Sequence, residues 1–294
     1  MKRIALIILG LVLMCDCLPV GANGDSSESM TDRARAYIEK NMSEEAIRLL
    51  DIFISNGPPD KEIVYLKGEA LRASGRYEEA LSSYESALFM DRSYYEAQAG
   101  MCEALSALCR CDEVADCYDD LVRIRPSPEV CNLAGNALIN ISCPITYHKN
   151  DLYSQSEIYA KALEFYNKSV ALDEGYIDAW NNRGVALGYL NKFDESIYCF
   201  DRAISLDSNL AEAWNNKGVS LDWLERQNQS MGCYDQAIEL KPGLAVAWMN
   251  RARTLSLNMS LFPLAQENAS QAIELDPSLE NETSLWTWRY IQLF

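Results

Sequence analysis

One block, written three times at a fixed interval, limits what this chain can fold into. "DAWNNRGVAL" begins at Asp178, "EAWNNKGVSL" follows 34 residues later at Glu212, and "VAWMNRARTL" opens at Val246 after the same interval. Self-similarity at this period belongs to a helix–turn–helix unit that cannot bury its apolar face alone, so its copies must stack. The register extends outward in columns. Trp180, Trp214 and Trp248 share one; Gly184, Gly218 and Ala252 form a small-residue column; Leu187, Leu221 and Leu255 follow. At about 100° per residue, Trp180, Gly184 and Leu187 fall on one helical face, where glycine should let two helix backbones approach closely. A turn and a second helix complete each unit, with Phe200 and Tyr234, then Ala203 and Ala237. Asp207 and Lys241-Pro242 close the units, proline because it lacks an amide donor.

The template continues upstream. "VYLKGEALRASGRYEEALSSYESALFMD", from Val64 to Asp91, supplies Gly68, Leu71, Tyr77, Ala80, Tyr84 and Ala87 in the same columns. Earlier still, Tyr37, Ala46 and Leu50 precede Gly57-Pro58-Pro59. The units read about 27–60, 61–94, 95–127, 128–176, 177–210, 211–244 and 245–279, seven in all. These residues resemble the tetratricopeptide repeat family: Trp180, Gly184 and Phe200, then Trp214, Gly218, Tyr234 and Pro242, stand at its signature positions. Arg183 and Lys217 replace the usual Leu of that signature, and Ser196 and Ser230 the usual Ala. The resemblance implies an all-α fold, a right-handed superhelical solenoid of about seven hairpins, with the first helices lining an inner, concave face.

Two places break the period. The stretch 142–155, "SCPITYHKNDLYSQ", is an insertion between the two helices of the fourth unit. At the end, 280–294 is read as a capping helix that carries Leu285, Trp286, Trp288, Tyr290, Ile291, Leu293 and Phe294. That is more apolar surface than one packed face needs, which raises a homotypic contact through this segment, a partner or a membrane covering it, or a longer natural chain.

The start of the chain reads as a targeting segment. Met1-Lys2-Arg3 is basic, Ile4 to Cys15 is apolar, and Val20-Gly21-Ala22 offers small residues for cleavage after position 22. The apolar run is shorter than the roughly 20 residues that span a bilayer. An uncleaved anchor and a lipoprotein signal with Cys15 as acceptor are the alternatives. The expected location is secreted or cell-surface associated. Eight cysteines follow, which an exported chain can pair. Cys143 with Cys109 or Cys111 is the candidate disulfide, because these lie in or beside turns of adjacent units. Cys117, Cys199 and Cys233 share a second-helix column and read as small buried hydrophobes. Of seven Asn-x-Ser/Thr sequons, Asn41, Asn140, Asn228 and Asn258 fall at or near turns and are candidate glycosylation sites.

The chemistry expected is that of binding. Glycine-rich phosphate loops, nucleophile elbows and His-Glu-x-x-His are absent from the sequence, and His148 is the only histidine. Cys109, Cys111 and Cys117 lack the pairing and histidines of a metal site, so neither metal nor cofactor is expected. A net charge of −17 argues against tracking nucleic-acid phosphates. On the helical wheel Asp178, Asn181, Asn182, Val185 and Tyr189 share the side away from the Trp–Gly–Leu stripe. Glu212, Asn215, Asn216, Val219 and Trp223 follow, then Val246, Met249, Asn250, Arg253 and Leu257. Asn182, Asn216 and Asn250 form a column of amides, each able to accept from and donate to a peptide backbone. Asparagine is a poor helix former, so its repetition on an exposed face suggests use. The column resembles the asparagine ladder of tetratricopeptide units that hold extended peptide. Glu62, Glu69, Glu96, Glu103 and Glu129 should line the earlier groove and favour basic ligands. The resulting expectation is a non-catalytic scaffold that binds a protein or an extended peptide. The alternative is a self-assembling surface component that uses the apolar C-terminal segment.

Overall fold

The computed structural model describes residues 27–140, 155–257 and 259–280. The targeting segment, the insertion with His148 and Cys143, Asn258 and the apolar stretch 281–294 lie outside the described residues. The chain divides into two compact bodies, Met1–Met90 and Asp91–Phe294. The first holds α1 (Ser27–Glu39), α2 (Ser43–Asn56), α3 (Lys61–Ala73) and α4 (Tyr77–Met90). The second holds α5 (Tyr95–Ala107), α6 (Cys111–Ile124), α7 (Pro128–Asn140), α8 (Gln155–Leu172), α9 (Ile177–Tyr189), α10 (Phe193–Leu206), α11 (Ala211–Trp223), α12 (Gln227–Leu240), α13 (Ala245–Ser256) and α14 (Phe262–Leu275). Consecutive helices pair into seven hairpins, two in the first body and five in the second, giving the all-α repeat architecture.

The turn inside a hairpin has a repeated cause. Asn41, Gly75, Cys109, Asn191 and Glu225 all have φ between 57° and 77°, the left-handed conformation that ends a helix. The amide after each reaches back to the first helix, as Lys192 N to Leu187 O at 2.9 Å and Arg226 N to Leu221 O at 2.9 Å. Between hairpins an aspartate closes the turn by accepting from the amide two residues on: Asp91 from Ser93 at 2.9 Å, Asp173 from Gly175 at 2.8 Å, Asp207 from Asn209 at 2.9 Å. Each tryptophan of the repeated block ties its helix to that turn through its indole N–H. Trp180 donates to Glu174 O at 2.8 Å, Trp214 to Ser208 O at 3.1 Å and Trp248 to Pro242 O at 2.9 Å.

The glycine column packs differently from expectation. A Cβ at Gly184 would lie 2.6 Å from the Phe200 ring, and one at Gly218 would lie 2.6 Å from the Tyr234 ring. The glycine admits an aromatic ring of the second helix and not the second backbone itself. In the third hairpin this column carries Cys102, which is disulfide-bonded to Cys117 with Cα atoms 5.5 Å apart. Cys117 is therefore not the free hydrophobe its column suggested. Cys102 stands where other hairpins have glycine, and Cys117 immediately precedes Tyr118 of the aromatic column that faces it. Cys199 and Cys233 are buried free thiols, and burial pushes Cys199 up to about 11.

Candidate functional site

The repeated asparagines do not stand as independent rungs. Within α9, Asn181 Nδ2 donates to Asn182 Oδ1 at 3.3 Å, and within α11, Asn215 Nδ2 donates to Asn216 Oδ1 at 3.2 Å. Between helices, Asn216 Nδ2 donates to Asn181 Oδ1 at 3.2 Å and Asn250 Nδ2 to Asn215 Oδ1 at 3.0 Å. Asn182 Nδ2 divides its two protons between Asn132 Oδ1 and Asn136 Oδ1, each at 3.0 Å, and Tyr166 OH also donates to Asn136 Oδ1 at 2.8 Å. At the far end Arg253 Nη1 reaches Asn250 Oδ1 at 3.4 Å. The result is one directional chain of amides across α13, α11, α9 and α7. Adjacent asparagines serve as a unit: the second reaches back to the preceding repeat, and the first passes the bond on.

This corrects three placements from the helical wheel. Asn215 and Met249 were expected to face the groove, but they are 6% and 1% exposed. Asn181 is half-buried in the same column, and Asn132 of α7 is buried there too. That column lies about 100° from the tryptophan stripe, and the next first helix covers it. Asn132 and Asn136 were missed because α7 lacks the Trp-Asn-Asn signature. The residues one position on, Asn182, Asn216 and Asn250, remain half-buried. Of these, Asn216 and Asn250 each keep one amide proton beyond the bond drawn above.

Beside the amide chain lies a cavity of about 510 Å³, bounded by α9, α11 and α13 and by the start of α10. Val185, Tyr189, Val219 and Trp223, all expected in a groove, converge on it, as do Asn216 and Asn250. Tyr189 is 56% exposed and Trp223 is 68% exposed. Each stacks on an aromatic at the start of the preceding second helix: Tyr189 on Tyr159 at 4.4 Å and Trp223 on Phe193 at 5.6 Å, with interplanar angles of 3° and 4°. Sequence reasoning named Tyr189 and Trp223 but not their partners. Tyr159 and Phe193 stand 34 residues apart, a signal that was available. The stacks hold two broad, flat aromatic surfaces toward solvent, one per repeat.

The charged candidates are mostly engaged. Glu212 accepts from Lys241 Nζ at 2.6 Å, and this bond holds its carboxyl below the usual glutamate range. Asp178 is exposed. In the first body Glu62 pairs with Arg35, and Glu69 pairs with Arg72 at 2.7 Å while accepting from Tyr84 OH at 2.6 Å. In the second, Glu129 is held low by its own backbone amide and by Ser127, and Glu96 is exposed. Glu103 raises the pKa of the buried Tyr118, after burial itself, to about 12. The five glutamates thus do not form one uncommitted acidic face. Among the described residues there is no cluster of His, Cys, Asp and Glu that could hold a metal, and no helix is long and apolar enough to cross a membrane.

The sequons separate by burial. Asn41, Asn140 and Asn228 are exposed. Asn268 is 2% exposed, accepts from Arg251 Nη1 at 2.8 Å and donates to Leu264 O at 2.7 Å, so it has no room for a glycan.

Models of the tetratricopeptide repeat match residues 31–95, 71–136, 177–210 and 211–244. A 40-residue stretch is 45% identical to an uncharacterized protein of Methanocaldococcus jannaschii, covering 14% of this chain and 46% of that one, so the match spans about half of the relative's length. Among solved structures, the C-terminal part of a TPR repeat-containing protein from Cytophaga hutchinsonii superposes with a TM-score of 0.65 at 12% identity, over 86% of this chain and 98% of that one. YrrB, described as a TPR protein with an unusual peptide-binding site, superposes with a TM-score of 0.51 at 21% identity, over 67% of this chain and 95% of that one. The helix hairpins, the glycine–aromatic contacts and these matches agree, and the chain belongs to the tetratricopeptide repeat family.

Proposed function

We propose that this protein is a non-catalytic interaction scaffold whose second body holds an extended peptide against α9, α11 and α13. The observation that carries this reading is the 510 Å³ cavity flanked by two exposed, pre-stacked aromatics and a row of amides. Aromatic surfaces fixed by stacking lose little entropy on binding and commonly anchor a partner. The remaining amide protons of Asn216 and Asn250 suit a peptide carbonyl, which would favour backbone recognition over side-chain readout. The peptide-binding site described for YrrB, a protein of the same fold, supports the reading by analogy. We also propose that the chain is exported; the Cys102–Cys117 bridge supports this, since disulfides persist in oxidising compartments.

The test is selection of binding peptides from a random 12-residue library by the full chain, followed by calorimetry. Tyr189→Ala and Trp223→Ala remove exposed rings and should leave folding intact, yet each should weaken binding about tenfold or more. Peptides that bind both variants as tightly as the parent would place the site elsewhere.

A further inference from the structure

A second site emerges from a column of ion pairs in which one hairpin keeps the cation and loses the acid. In three hairpins, a cation on the first helix pairs with the aspartate 16 residues before it on the preceding second helix. Lys67 meets Asp51 at 2.7 Å, Lys217 meets Asp201 at 2.6 Å and Arg251 meets Asp235 at 2.7 Å. The same column in α9 carries Arg183, and the position 16 residues before it is Asn167. The cation is kept while its carboxylate is replaced by a neutral amide.

Arg183 has not found another acid. Among the described residues no carboxylate lies within ion-pair distance of it, and its Nε is buried. It lies over Trp180, with its guanidinium carbon 5.3 Å from the ring centroid. Arg202 of α10 places its guanidinium carbon 5.5 Å from the same centroid and is likewise without a carboxylate, because the adjacent Asp201 is held by Lys217. Cation–π attraction holds both guanidiniums near the Trp180 ring and leaves their N–H donors without a carboxylate. Exposed Asn167 and the 57% exposed Tyr198, whose ring meets Trp180 edge-on at 6.1 Å, leave the place open to solvent.

We propose that Arg183 and Arg202 form a docking point for a carboxylate supplied from outside the chain, an Asp or Glu side chain of a protein partner. The choice of carboxylate follows from the column itself, where aspartate fills the equivalent place in three hairpins. Guanidinium forks suit such groups by paired N–H donation. This site is separate from the aromatic groove: Asn182 reaches the preceding first helix, whereas the Arg183 column reaches the preceding second helix.

The probe is acetate, titrated into the full chain while the Nε–H resonance of Arg183 is followed by NMR, with inorganic phosphate as a second arm and chloride as the ionic-strength control. The expected result is a saturable shift with acetate that chloride does not reproduce. Asn167→Asp supplies the missing acid internally, so the resonance should start shifted and no longer respond, and the melting temperature should rise. That rise should vanish in the double variant Asn167→Asp with Arg183→Leu, a residue usual at this repeat position. No response to either anion overturns the proposal. A response to phosphate alone overturns the carboxylate assignment, and an Asn167→Asp variant that still responds like the parent overturns the geometry.

Discussion

The α3–α4 hairpin of the first body and the α11–α12 hairpin of the second solve the same packing problem with different polar residues. In both, a glycine receives a tyrosine ring: Gly68 takes Tyr84 and Gly218 takes Tyr234, with the same 2.6 Å approach of an added Cβ. In both, the tyrosine hydroxyl is buried and donates to a carboxylate. For Tyr84 the acceptor is Glu69, which is also bound by Arg72. For Tyr234 it is Asp222, at 2.7 Å, and this carboxylate also accepts from Ser230 and from Thr254 of the next hairpin at 2.6 Å. Burial and then the neighbouring carboxylate keep both phenols protonated far above neutral pH. The inner columns differ. Tyr65 and Leu66 in α3 are replaced by Asn215 and Asn216 in α11, and a polar seam replaces an apolar one. The hairpin needs the glycine–ring contact; the seam between hairpins tolerates either chemistry if every group is satisfied.

The largest expected effect tests the shared part. Gly68→Val and Gly218→Val should each destabilise its own body by about 3 kcal/mol, since the ring cannot retreat from the added carbons. Urea unfolding that left either variant unchanged would break the equivalence. Removing the acceptor should separate the two hairpins. Asp222→Ala strands the Tyr234 hydroxyl and leaves Ser230 and Thr254 only the carbonyls of Gln227 and Asn250, and should cost about 3 kcal/mol, whereas Glu69→Ala strands Tyr84 and removes one partner of Arg72, at about 2 kcal/mol.

A smaller effect belongs to the amide seam alone. Asn215→Ala leaves Asn250 Nδ2 and Asn216 Oδ1 without their partners and should cost about 1–2 kcal/mol. Amide exchange should then rise in α11 and α13 while the first body stays unchanged. The smallest effect is one of pH. The Lys241 bond depresses the folded pKa of Glu212. Its stabilisation is therefore present above the unfolded value of about 4.3 and is lost as pH falls through the folded one. The parent should exceed Glu212→Gln by about 0.5 kcal/mol at neutral pH, and the gap should close in strong acid. A gap that widens in acid would reverse the assigned sign.

Much of the fold was legible because packing columns repeat. Trp180, Gly184, Leu187, Phe200 and Ala203 each recur at a fixed interval, and a periodic demand on side-chain size shows in one sequence. The site was half legible. Tyr189 and Trp223 could be placed on the exposed side from the helical wheel alone. Asn215 and Met249 could not, because a wheel describes one helix, and what buries them is the neighbour. The Cys102–Cys117 bridge escaped for a related reason: the cysteine replacing a column glycine had to be matched with the one facing it across the hairpin.

By itself, then, the chain's sequence determined the repeat, its helices and its turns, since these depend on residue size and backbone freedom over short distances. Only the tertiary structure decided what the asparagines do. A side-chain amide is satisfied by whichever donor or acceptor lies within about 3 Å. Here that partner belongs to an adjacent repeat some 35 to 50 residues away. The same distance dependence left Arg183 over Trp180 without an acid, although every residue involved was visible in the sequence.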